Sequence, residues 1–279
     1  MIVPTVATVG LVVPTLGTRP EWLDQALTSI KRNKVEGISV RVVVVGPANE
    51  VVIDASRKFG YQVLAQTGRG LSNAINTGWN ELASTCQFFS WLGDDDLLSP
   101  LSLASAVEAL KEHSEAKFVY GRTRYIDAQG NSIYTSRPTR WAPRYMKIGK
   151  DFVPQPGSLI RTQCVTWTPL LDENLKNAMD LDLFLKLSYR QTTWIYLKKE
   201  LSAYRLHGGA ITSNKGSLDE SDSVRDRYRS HRIAKIARFT GTPRSFLEKL
   251  VIWFPWHWPK SADYRREGQY CRPETAKMN

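Results

Sequence analysis

The first hundred residues alternate between short apolar runs and longer segments with apolar residues at helical spacing. The apolar runs predict four buried strands, at residues 8–14, 40–45, 61–64 and 87–91. The segments between them predict helices that begin near Pro20 and that cover residues 49–59 and 71–83. Strands that alternate with helices in this way favour right-handed βαβ units and a mostly parallel sheet.

Beyond this region the pattern is less regular. Ser99 and Pro100 predict the N-cap and first turn of a helix over residues 100–112. Prolines argue against a central strand at residues 152–161, which we expect to be irregular or an edge strand. The other predicted elements are a hairpin, a basic loop without periodicity, a helix and two short strands, at residues 117–135, 137–150, 179–189, 193–197 and 201–205.

The net charge of +11 is concentrated near the C-terminal end of the chain. Residues 224–279 hold 13 Lys or Arg against 5 Asp or Glu, and they combine an Arg-rich segment with clustered Phe, Leu and Trp residues. This composition is typical of segments that lie on an anionic membrane surface. The alternative is a helix that packs on the rest of the protein and leaves a charged face in solvent.

Cysteine usage and the first residues indicate the compartment. The three cysteines are widely and unevenly spaced, which fits neither a disulfide framework nor a zinc motif. The apolar start of the chain carries no Lys or Arg before it and runs directly into the first predicted strand, unlike a secretory leader. We therefore expect a cytoplasmic protein, with peripheral attachment to the cytoplasmic face of the membrane if the basic tail binds lipid.

Three consecutive carboxylates, Asp94 to Asp96, stand where the fourth predicted strand ends. Such a group repels itself unless water, a cation or Arg and Lys offset it, so it indicates either a metal site for a phosphate-bearing ligand or a solvated turn. In a parallel sheet, ligands bind beyond the carboxyl ends of the strands. Pro14, Thr15, Gly46 and Asp94 all lie at such ends, and we expect them to converge on one crevice.

Five pieces of sequence, in this order, resemble family 2 glycosyltransferases over roughly residues 8–215. They are VVPTLGTRPEWLDQALTSI, VVVVG, GLSNAINTGWNELA, WLGDDDLLSP, and the pair AMDLDLFLKL and YRLHGG. The resemblance implies the GT-A fold, a Rossmann-like nucleotide-sugar-binding α/β sheet that is mixed but mostly parallel and flanked by helices. It also implies an inverting enzyme that uses a divalent metal, Mn²⁺ or Mg²⁺, and a nucleotide-diphospho-sugar donor.

The resemblance assigns roles to particular residues. Asp180 matches the general base that accepts the proton of the acceptor hydroxyl, with Asp182 as its rival two residues on. The family's Asp-x-Asp motif falls on residues 93–95, so that Gly93 replaces its first carboxylate. The metal is therefore expected at Asp95, with Asp94 standing in for the missing first carboxylate and with Asp96 and His207 in support. Asp96 could instead cap the next helix, and Lys215 or Arg205 could hold the diphosphate in place of His207. The nucleotide-binding positions are expected to be Pro14, Thr15, Arg19, Gly46, Arg69, Asn73 and Asp94.

The identity of the donor and the acceptor is less well defined. The family places an Asp after the second strand to hold uracil, but Gly46 and Pro47 stand there in this chain. UDP is the first expectation for the nucleotide, with dTDP or GDP as alternatives that a backbone contact to the base would permit. A glycan or lipid-linked acceptor is expected, in the synthesis of cell-surface polysaccharide or glycolipid, and nucleic acid is not an expected partner.

Two other functions are compatible with parts of the chain. A non-catalytic module that binds nucleic acid or lipid headgroups would explain the basic tail, but the acidic triplet would repel such polyanions. A sugar nucleotidyltransferase on a similar sheet would want a Gly-rich basic loop after the first strand, which residues 16–19 match poorly. We expect a glycosyltransferase domain over residues 1–215, with its nucleotide-binding half near 1–100 and its acceptor half near 101–215, and a basic extension over residues 216–279.

Overall fold

A computed structural model of the chain describes residues 6–146, 153–189, 193–208 and 217–228. Part of the predicted basic loop, at residues 147–150, lies outside the described residues. The same holds for the predicted membrane-binding tail from residue 229 onward. In the described part of the chain, no helix is both long and apolar enough to cross a membrane.

The first half of the chain folds into the predicted alternation of strands and helices. Its strands are β1 (Ala7–Pro14), β2 (Ile38–Val45), β3 (Gln62–Leu64) and β4 (Phe88–Trp91). Its helices are α1 (Pro20–Lys31), α2 (Glu50–Arg57) and α3 (Gly70–Leu82). Asn49 caps α2 by accepting a hydrogen bond from the Val52 amide at 3.0 Å, and Pro20 begins α1, as its fixed φ favours.

These four strands are parallel and place their carboxyl ends together. β1 lies between β2 and β4, and β3 lies outside β2. Pro14 at the end of β1 is opposite Val45 at the end of β2, and Val12 is opposite Trp91 at the end of β4. The loops that follow all three strands therefore start at one edge of the sheet, as the sequence predicted.

Both faces of the sheet are covered, which explains why most residues of its parallel strands are apolar. Successive residues of β1, such as Val12 and Val13, point to opposite faces of the sheet and pack into two separate apolar cores. One core contains α1, α2 and the later helix α4 (Ser102–Glu112). The other contains α3 and two further helices, α5 (Ala142–Met146) and α6 (Met179–Tyr189). The fold is thus a three-layer α/β sandwich.

The second half of the chain extends the sheet with five further strands, which are joined by four antiparallel pairings and one parallel pairing. They are β5 (Leu97–Leu98), β6 (Ala116–Ile126), β7 (Ser132–Thr135), β8 (Leu159–Arg161) and β9 (Thr193–Arg205). The order across the sheet is β3-β2-β1-β4-β8-β6-β9-β5, and β7 pairs with β6 in the predicted hairpin. The mixed sheet agrees with the predicted fold class.

Two predicted boundaries near the acidic turn are wrong. The chain after the turn forms β5, which pairs with Ala203 and Ser202 of β9, and this pairing holds the chain extended beyond Leu98. Ser99 does not cap the next helix, because its amide donates to the Leu201 carbonyl at 3.0 Å. Helix α4 begins only at Ser102, after Leu101 in the left-handed conformation with φ 58°. Asp96 does not cap this helix either, since its carboxylate accepts a hydrogen bond from the Arg205 amide.

The prediction that residues 152–161 are irregular or an edge strand is wrong for the last three residues, whereas residues 153–158 are irregular. β8 lies in the middle of the sheet, antiparallel to both β4 and β6. Pro154 and Pro156 precede its three residues, so no proline stands within the ladder. The two short strands predicted after residue 192 are one strand, β9, with bulges where it passes Arg122 of β6. α5 forms within the segment that we predicted to be a loop.

A final described helix, α7 (Ser217–Tyr228), fastens the start of α6. The Glu220 carboxylate accepts hydrogen bonds from the amides of Lys176, Asn177 and Ala178, at 2.9, 2.6 and 2.8 Å. These amides precede α6, so Glu220 satisfies the backbone donors of the segment that leads into the helix. Burial alone would raise the pKa of Glu220, but the three amides lower it overall.

We expect Glu220→Gln to destabilise the fold by about 1 kcal/mol at pH 7, as for the loss of a helix cap. Because the pKa of Glu220 is lowered in the folded state, its contribution is present above the ordinary pKa of 4.5 and disappears as the pH falls through the folded value. Urea denaturation of the wild type and the variant at pH 7 and at acid pH measures this. Asp219→Asn, at an exposed neighbouring carboxylate, is the control; equal losses at both pH values would contradict the assignment.

Candidate nucleotide-sugar site

The loops at the carboxyl edge of the sheet meet through hydrogen bonds between Thr15 and the acidic turn. Thr15 Oγ1 donates to Asp94 Oδ2 at 2.6 Å and accepts from the Gly17 amide at 3.0 Å. Pro14 is the last residue of β1, directly before this contact. The predicted convergence of the loops after β1 and β4 is therefore confirmed.

Arg19 joins these two loops to His207, which follows β9. Its Nη2 donates to Asp94 Oδ1 at 2.8 Å, and its Nη1 lies 2.9 Å from Asp95 Oδ2. The same Nη1 lies 3.0 Å from His207 Nε2, which in turn lies 2.9 Å from Asp95 Oδ2. Trp22 covers this group, with its ring 4.8 Å from the His207 ring and 5.3 Å from the Arg19 guanidinium carbon.

A second arginine, Arg205, supports the acidic turn from inside the protein. Its backbone amide donates to Asp96 Oδ1 and its Nε to the Asp95 carbonyl, both at 2.9 Å. Its two Nη atoms donate to the Ala128 carbonyl at 3.1 Å and to Gln25 Oε1 at 2.8 Å. The side chain is 1% exposed. The expectation that Arg205 holds the diphosphate is therefore wrong, because its donors are used within the fold.

Two of the three carboxylates of the turn, Asp94 and Asp96, are buried. Burial raises the pKa of Asp94, while hydrogen bonds and charge from Thr15 and Arg19 favour its ionised form. Burial and the charge of Asp95 raise the pKa of Asp96 well above its ordinary value, against the hydrogen bond from Arg205. Hydrogen bonds from Thr15, Arg19 and Arg205 thus hold the turn within the fold, and it is not the solvated acidic turn that the sequence left open.

Two glycines explain where this chain departs from the family pattern. A Cβ at Gly93 would lie 2.6 Å from Asp95 Oδ1, so a side chain at this position would displace the Asp95 carboxylate. A Cβ at Gly46 would lie 2.3 Å from the Thr15 carbonyl oxygen. Gly46 therefore lies at the predicted edge, against the loop after β1, and the close contact leaves no room there for the base-binding Asp of the family.

The two predicted nucleotide-binding residues near α3 have different surroundings. Asn73 is 8% exposed, accepts from the Gly68 amide at 2.7 Å and donates to Glu173 Oε2 at 3.0 Å. It fastens the loop before α3 to the segment before α6. Arg69, at the N-cap of α3, is exposed at the same edge and makes no capping hydrogen bond. Of the two, Arg69 has the side chain that a phosphate could reach.

The two candidate bases at the start of α6 differ in their contacts. Asp182 is 1% exposed and is engaged by Lys186 Nζ at 2.7 Å and the Tyr228 hydroxyl at 2.8 Å. Asp180 is half-buried and accepts a hydrogen bond from the Leu181 amide at 2.8 Å. Burial raises the pKa of Asp180, against this and its own backbone hydrogen bond. The structure thus gives Asp182 a structural role and leaves Asp180 as the candidate base.

The start of α6 lies at the same edge of the sheet as the start of α3. Ser72, in the first turn of α3, donates to the Leu175 carbonyl at 3.2 Å, and Asn76 donates to Glu173 Oε1 at 2.9 Å. Since α3 begins just beyond the carboxyl end of β3, these contacts hold the segment before Asp180 on the ligand side of the sheet.

The predicted metal ligands are only partly assembled. Asp95 and His207 meet, as the resemblance implied, but the Arg19 guanidinium contacts both of the atoms that would bind a cation. Asp96 accepts the Arg205 amide. Within the described ranges, no group of three or more His, Cys, Asp or Glu residues is arranged to hold a metal ion. The site as it stands therefore fits a cation only if Arg19 moves.

Several residues of the site escaped the sequence analysis. Trp22 and Gln25 lie on the polar side of α1, and no recognisable motif marks them. Their spacing from Arg19 nevertheless places them about one and two turns into the helix that follows Arg19. Glu173 and Glu220 act through loops whose partners lie far away in sequence, up to 100 residues for Glu173. No local pattern marks contacts of this kind.

Two solved structures that resemble this one are complexes with nucleotide sugars. The chain aligns with S. aureus TarS, in a complex with UDP-GlcNAc, with a TM-score of 0.60 and 16% identity, over 78% of this chain and 64% of the TarS chain. It aligns with the mannosyltransferase PcManGT from Pyrobaculum calidifontis, in a complex with GDP-Man and Mn²⁺, with a TM-score of 0.51 and 17% identity, over 82% and 64% of the two chains. These likenesses establish the GT-A fold.

Sequence relatives are glycosyltransferases or polysaccharide-synthesis proteins by name. An uncharacterized glycosyltransferase of Rickettsia typhi is 24% identical over 84% of this chain and 74% of its own length. The O-antigen biosynthesis protein RfbC of Myxococcus xanthus is 26% identical over 65% of this chain, which spans only 14% of RfbC. The model of the family described as Glycosyl transferase family 2 matches residues 11–168, more than half of the chain. The chain therefore belongs to glycosyl transferase family 2 and is a glycosyl-transfer enzyme of the GT-A fold.

Proposed function

We propose that this enzyme transfers a sugar with inversion from a nucleotide-diphospho-sugar to an acceptor hydroxyl, in cell-surface polysaccharide or glycolipid synthesis. The observation that carries the donor site is the convergence of Thr15, Arg19 and the Asp94–Asp96 turn at the carboxyl edge of the sheet. The UDP-GlcNAc and GDP-Man complexes of the two structural neighbours support a donor of this class. The name of the M. xanthus relative supports the pathway.

Asp180 is the proposed general base. It accepts the proton of the acceptor hydroxyl as that oxygen attacks the anomeric carbon, on the face opposite the leaving diphosphate. The start of α6 favours its ionised form through the helix dipole, and burial makes the carboxylate more basic than it is in water. Attack from the opposite face inverts the configuration of the sugar.

The leaving diphosphate requires positive charge. Arg19 and Arg69 are the proposed arginine contacts, since a guanidinium matches phosphate oxygens in a bidentate manner. A divalent cation, Mn²⁺ or Mg²⁺, at Asp95 and His207, with Asp96 in support, stays part of the proposal, and when bound it would neutralise charge on the diphosphate. The complex of PcManGT with Mn²⁺ supports this choice of metal.

The nucleobase and the acceptor are open to direct test. Gly46 provides only backbone atoms at the position where the family places its uracil-binding Asp, so UDP, dTDP and GDP all remain candidates. A glycan or lipid-linked acceptor, a cytoplasmic location and attachment of the tail to an anionic membrane surface remain predictions. Cosedimentation with anionic liposomes at low and high salt tests the last of these, and absence of binding at both would contradict it.

Donor hydrolysis tests the proposed function without knowledge of the acceptor. We expect release of nucleoside diphosphate from one class among UDP-, dTDP- and GDP-sugars, with Mn²⁺ present, and at least a tenfold slower release from Asp95→Ala, which removes an anchor of Arg19 and His207. Asp54→Ala, which breaks an exposed ion pair with Arg57, is the matched control. Absence of both turnover and binding for every donor would contradict the proposal and favour a non-catalytic anion-binding module.

A further inference from the structure

The Arg19 guanidinium occupies the place where a cation would bind the acidic turn. Its Nη1 is within 3.0 Å of both Asp95 Oδ2 and His207 Nε2, and its Nη2 is 2.8 Å from Asp94 Oδ1. The three partners come from two distant parts of the chain, 75 to 188 residues from Arg19 in sequence. One guanidinium thus contacts two carboxylates from the loop after β4 and the imidazole that follows β9.

Arg19 and a divalent cation require the same atoms. A metal ion takes a carboxylate oxygen and the lone pair of a neutral imidazole nitrogen. In this structure Arg19 Nη1 lies 2.9 Å from Asp95 Oδ2 and 3.0 Å from His207 Nε2 instead. A cation placed between these two atoms would also be repelled by the positive charge of the guanidinium. Arg19 must therefore leave this position before both atoms can coordinate a metal.

The contacts of Arg19 are easier to exchange than those of the other arginine at the site. Its side chain is 33% exposed, and its Nε is buried without a hydrogen-bond partner among the described residues. Arg205, in contrast, is 1% exposed and uses both its Nε and its Nη atoms on groups of the fold. Arg19 also precedes α1, as its N-cap, so that its side chain can turn without moving a buried strand.

We propose that Arg19 is an internal counter-ion that makes metal binding conditional on the donor. Without donor, Arg19 neutralises Asp94 and Asp95 and excludes a divalent cation from Asp95 and His207. The phosphate oxygens of a bound donor attract the guanidinium away from these groups and free them for the cation. This inference rests on the proposed function in one respect, the diphosphate of the donor that draws Arg19 away. The exclusion of metal by Arg19 in the absence of donor does not depend on catalysis.

Conditional binding has a thermodynamic consequence. If a nucleoside diphosphate removes a competitor of the metal, each ligand must strengthen the binding of the other by the same factor. Removing the competitor by mutation raises the affinity for metal in the absence of nucleotide. In such a variant the nucleotide strengthens metal binding by a smaller factor than in the wild type, because there is no arginine left for the nucleotide to draw away.

The test measures Mn²⁺ affinity by calorimetry, without sugar and without turnover. We expect weak binding to the wild type, about tenfold or more tighter binding to Arg19→Gln, and binding close to wild type for Arg19→Lys, which keeps the positive charge. Arg57→Gln removes an arginine from an exposed ion pair and is the control, with unchanged affinity expected. Circular dichroism establishes that each variant is folded.

A second arm repeats the titration with UDP, dTDP and GDP. We expect the wild type to bind Mn²⁺ at least tenfold more tightly with the nucleotide that it recognises than without it. Unchanged or weaker Mn²⁺ binding by Arg19→Gln, or equal tightening by Arg19→Lys, would overturn the inference. If Arg19→Gln does not fold, equal Mn²⁺ affinity of the wild type with and without the recognised nucleotide overturns it. If one of these results overturns the role of Arg19 while the enzyme still hydrolyses a donor, the proposed function stands. Failure of the Arg19 inference is therefore distinguishable from failure of the proposed function.

Discussion

Asp180→Asn is expected to slow sugar transfer by roughly 10²–10⁴-fold, the usual contribution of a positioned general base. The substitution keeps the size of the side chain and its contact with the Leu181 amide, but it removes the oxygen that accepts a proton. Nucleotide affinity should remain within about twofold, because Asp180 acts on the acceptor and not on the diphosphate. Rates of donor hydrolysis, together with calorimetric titration of nucleoside diphosphate, separate the two effects.

Asp182→Asn provides the matched control, two residues along the same helix. Asp182 is buried between Lys186 and Tyr228, so its neutralisation should lower stability by about 3 kcal/mol. In the folded fraction, the rate should remain close to that of the wild type. If Asp182→Asn were the variant that loses the rate while staying fully folded, the assignment of the base would be wrong.

Arg205→Met is expected to destabilise the fold by about 3–5 kcal/mol, the usual cost of breaking a buried ionic group. The substitution leaves the buried Asp96 without the nearby positive charge and leaves the carbonyls of Asp95 and Ala128 without a donor. Because these groups form the acidic turn, the variant should also bind nucleotide poorly. Urea denaturation measures the loss of stability.

Two variants show whether the burial of Arg205 is the cause. Arg205→Lys keeps the charge but cannot reach all of the partners of the guanidinium, so we expect an intermediate loss. Arg124→Met removes an arginine from the adjacent strand β6, where it forms a partly exposed pair with Glu200, and should cost less than about 1 kcal/mol. Equal losses from Arg205→Met and Arg124→Met would contradict the supporting role of Arg205.

The elements that sequence predicted well are those whose signal is local. β1 and the second half of β2 are buried on both faces, so nearly every residue there is apolar, and helix α1 between the two strands has a clear apolar face. The same is true of α6, whose bounds were predicted without error. Rules for parallel sheets then placed the ends of β1, β2 and β4 together, and with them most of the candidate site.

The elements that sequence mispredicted depend on partners far along the chain. β5 has only two residues and exists because it pairs with β9, and β8 is central because the sheet encloses it on both sides. The contact of Arg19 with His207 spans 188 residues, and the sequence assigned the two residues to different roles. Only their meeting in the structure leads to the proposal that Arg19 competes with a metal for Asp95 and His207.

Inverting transfer at this crevice is tested most directly by proton NMR of donor hydrolysis, with the nucleotide sugar that the panel identifies. For a donor linked through its α-anomeric position, we predict that the β-anomer of the free sugar is released first, before mutarotation, and that Asp180→Asn removes the signal. Release of the α-anomer first, or an unchanged rate in Asp180→Asn, would contradict inversion with Asp180 as the base.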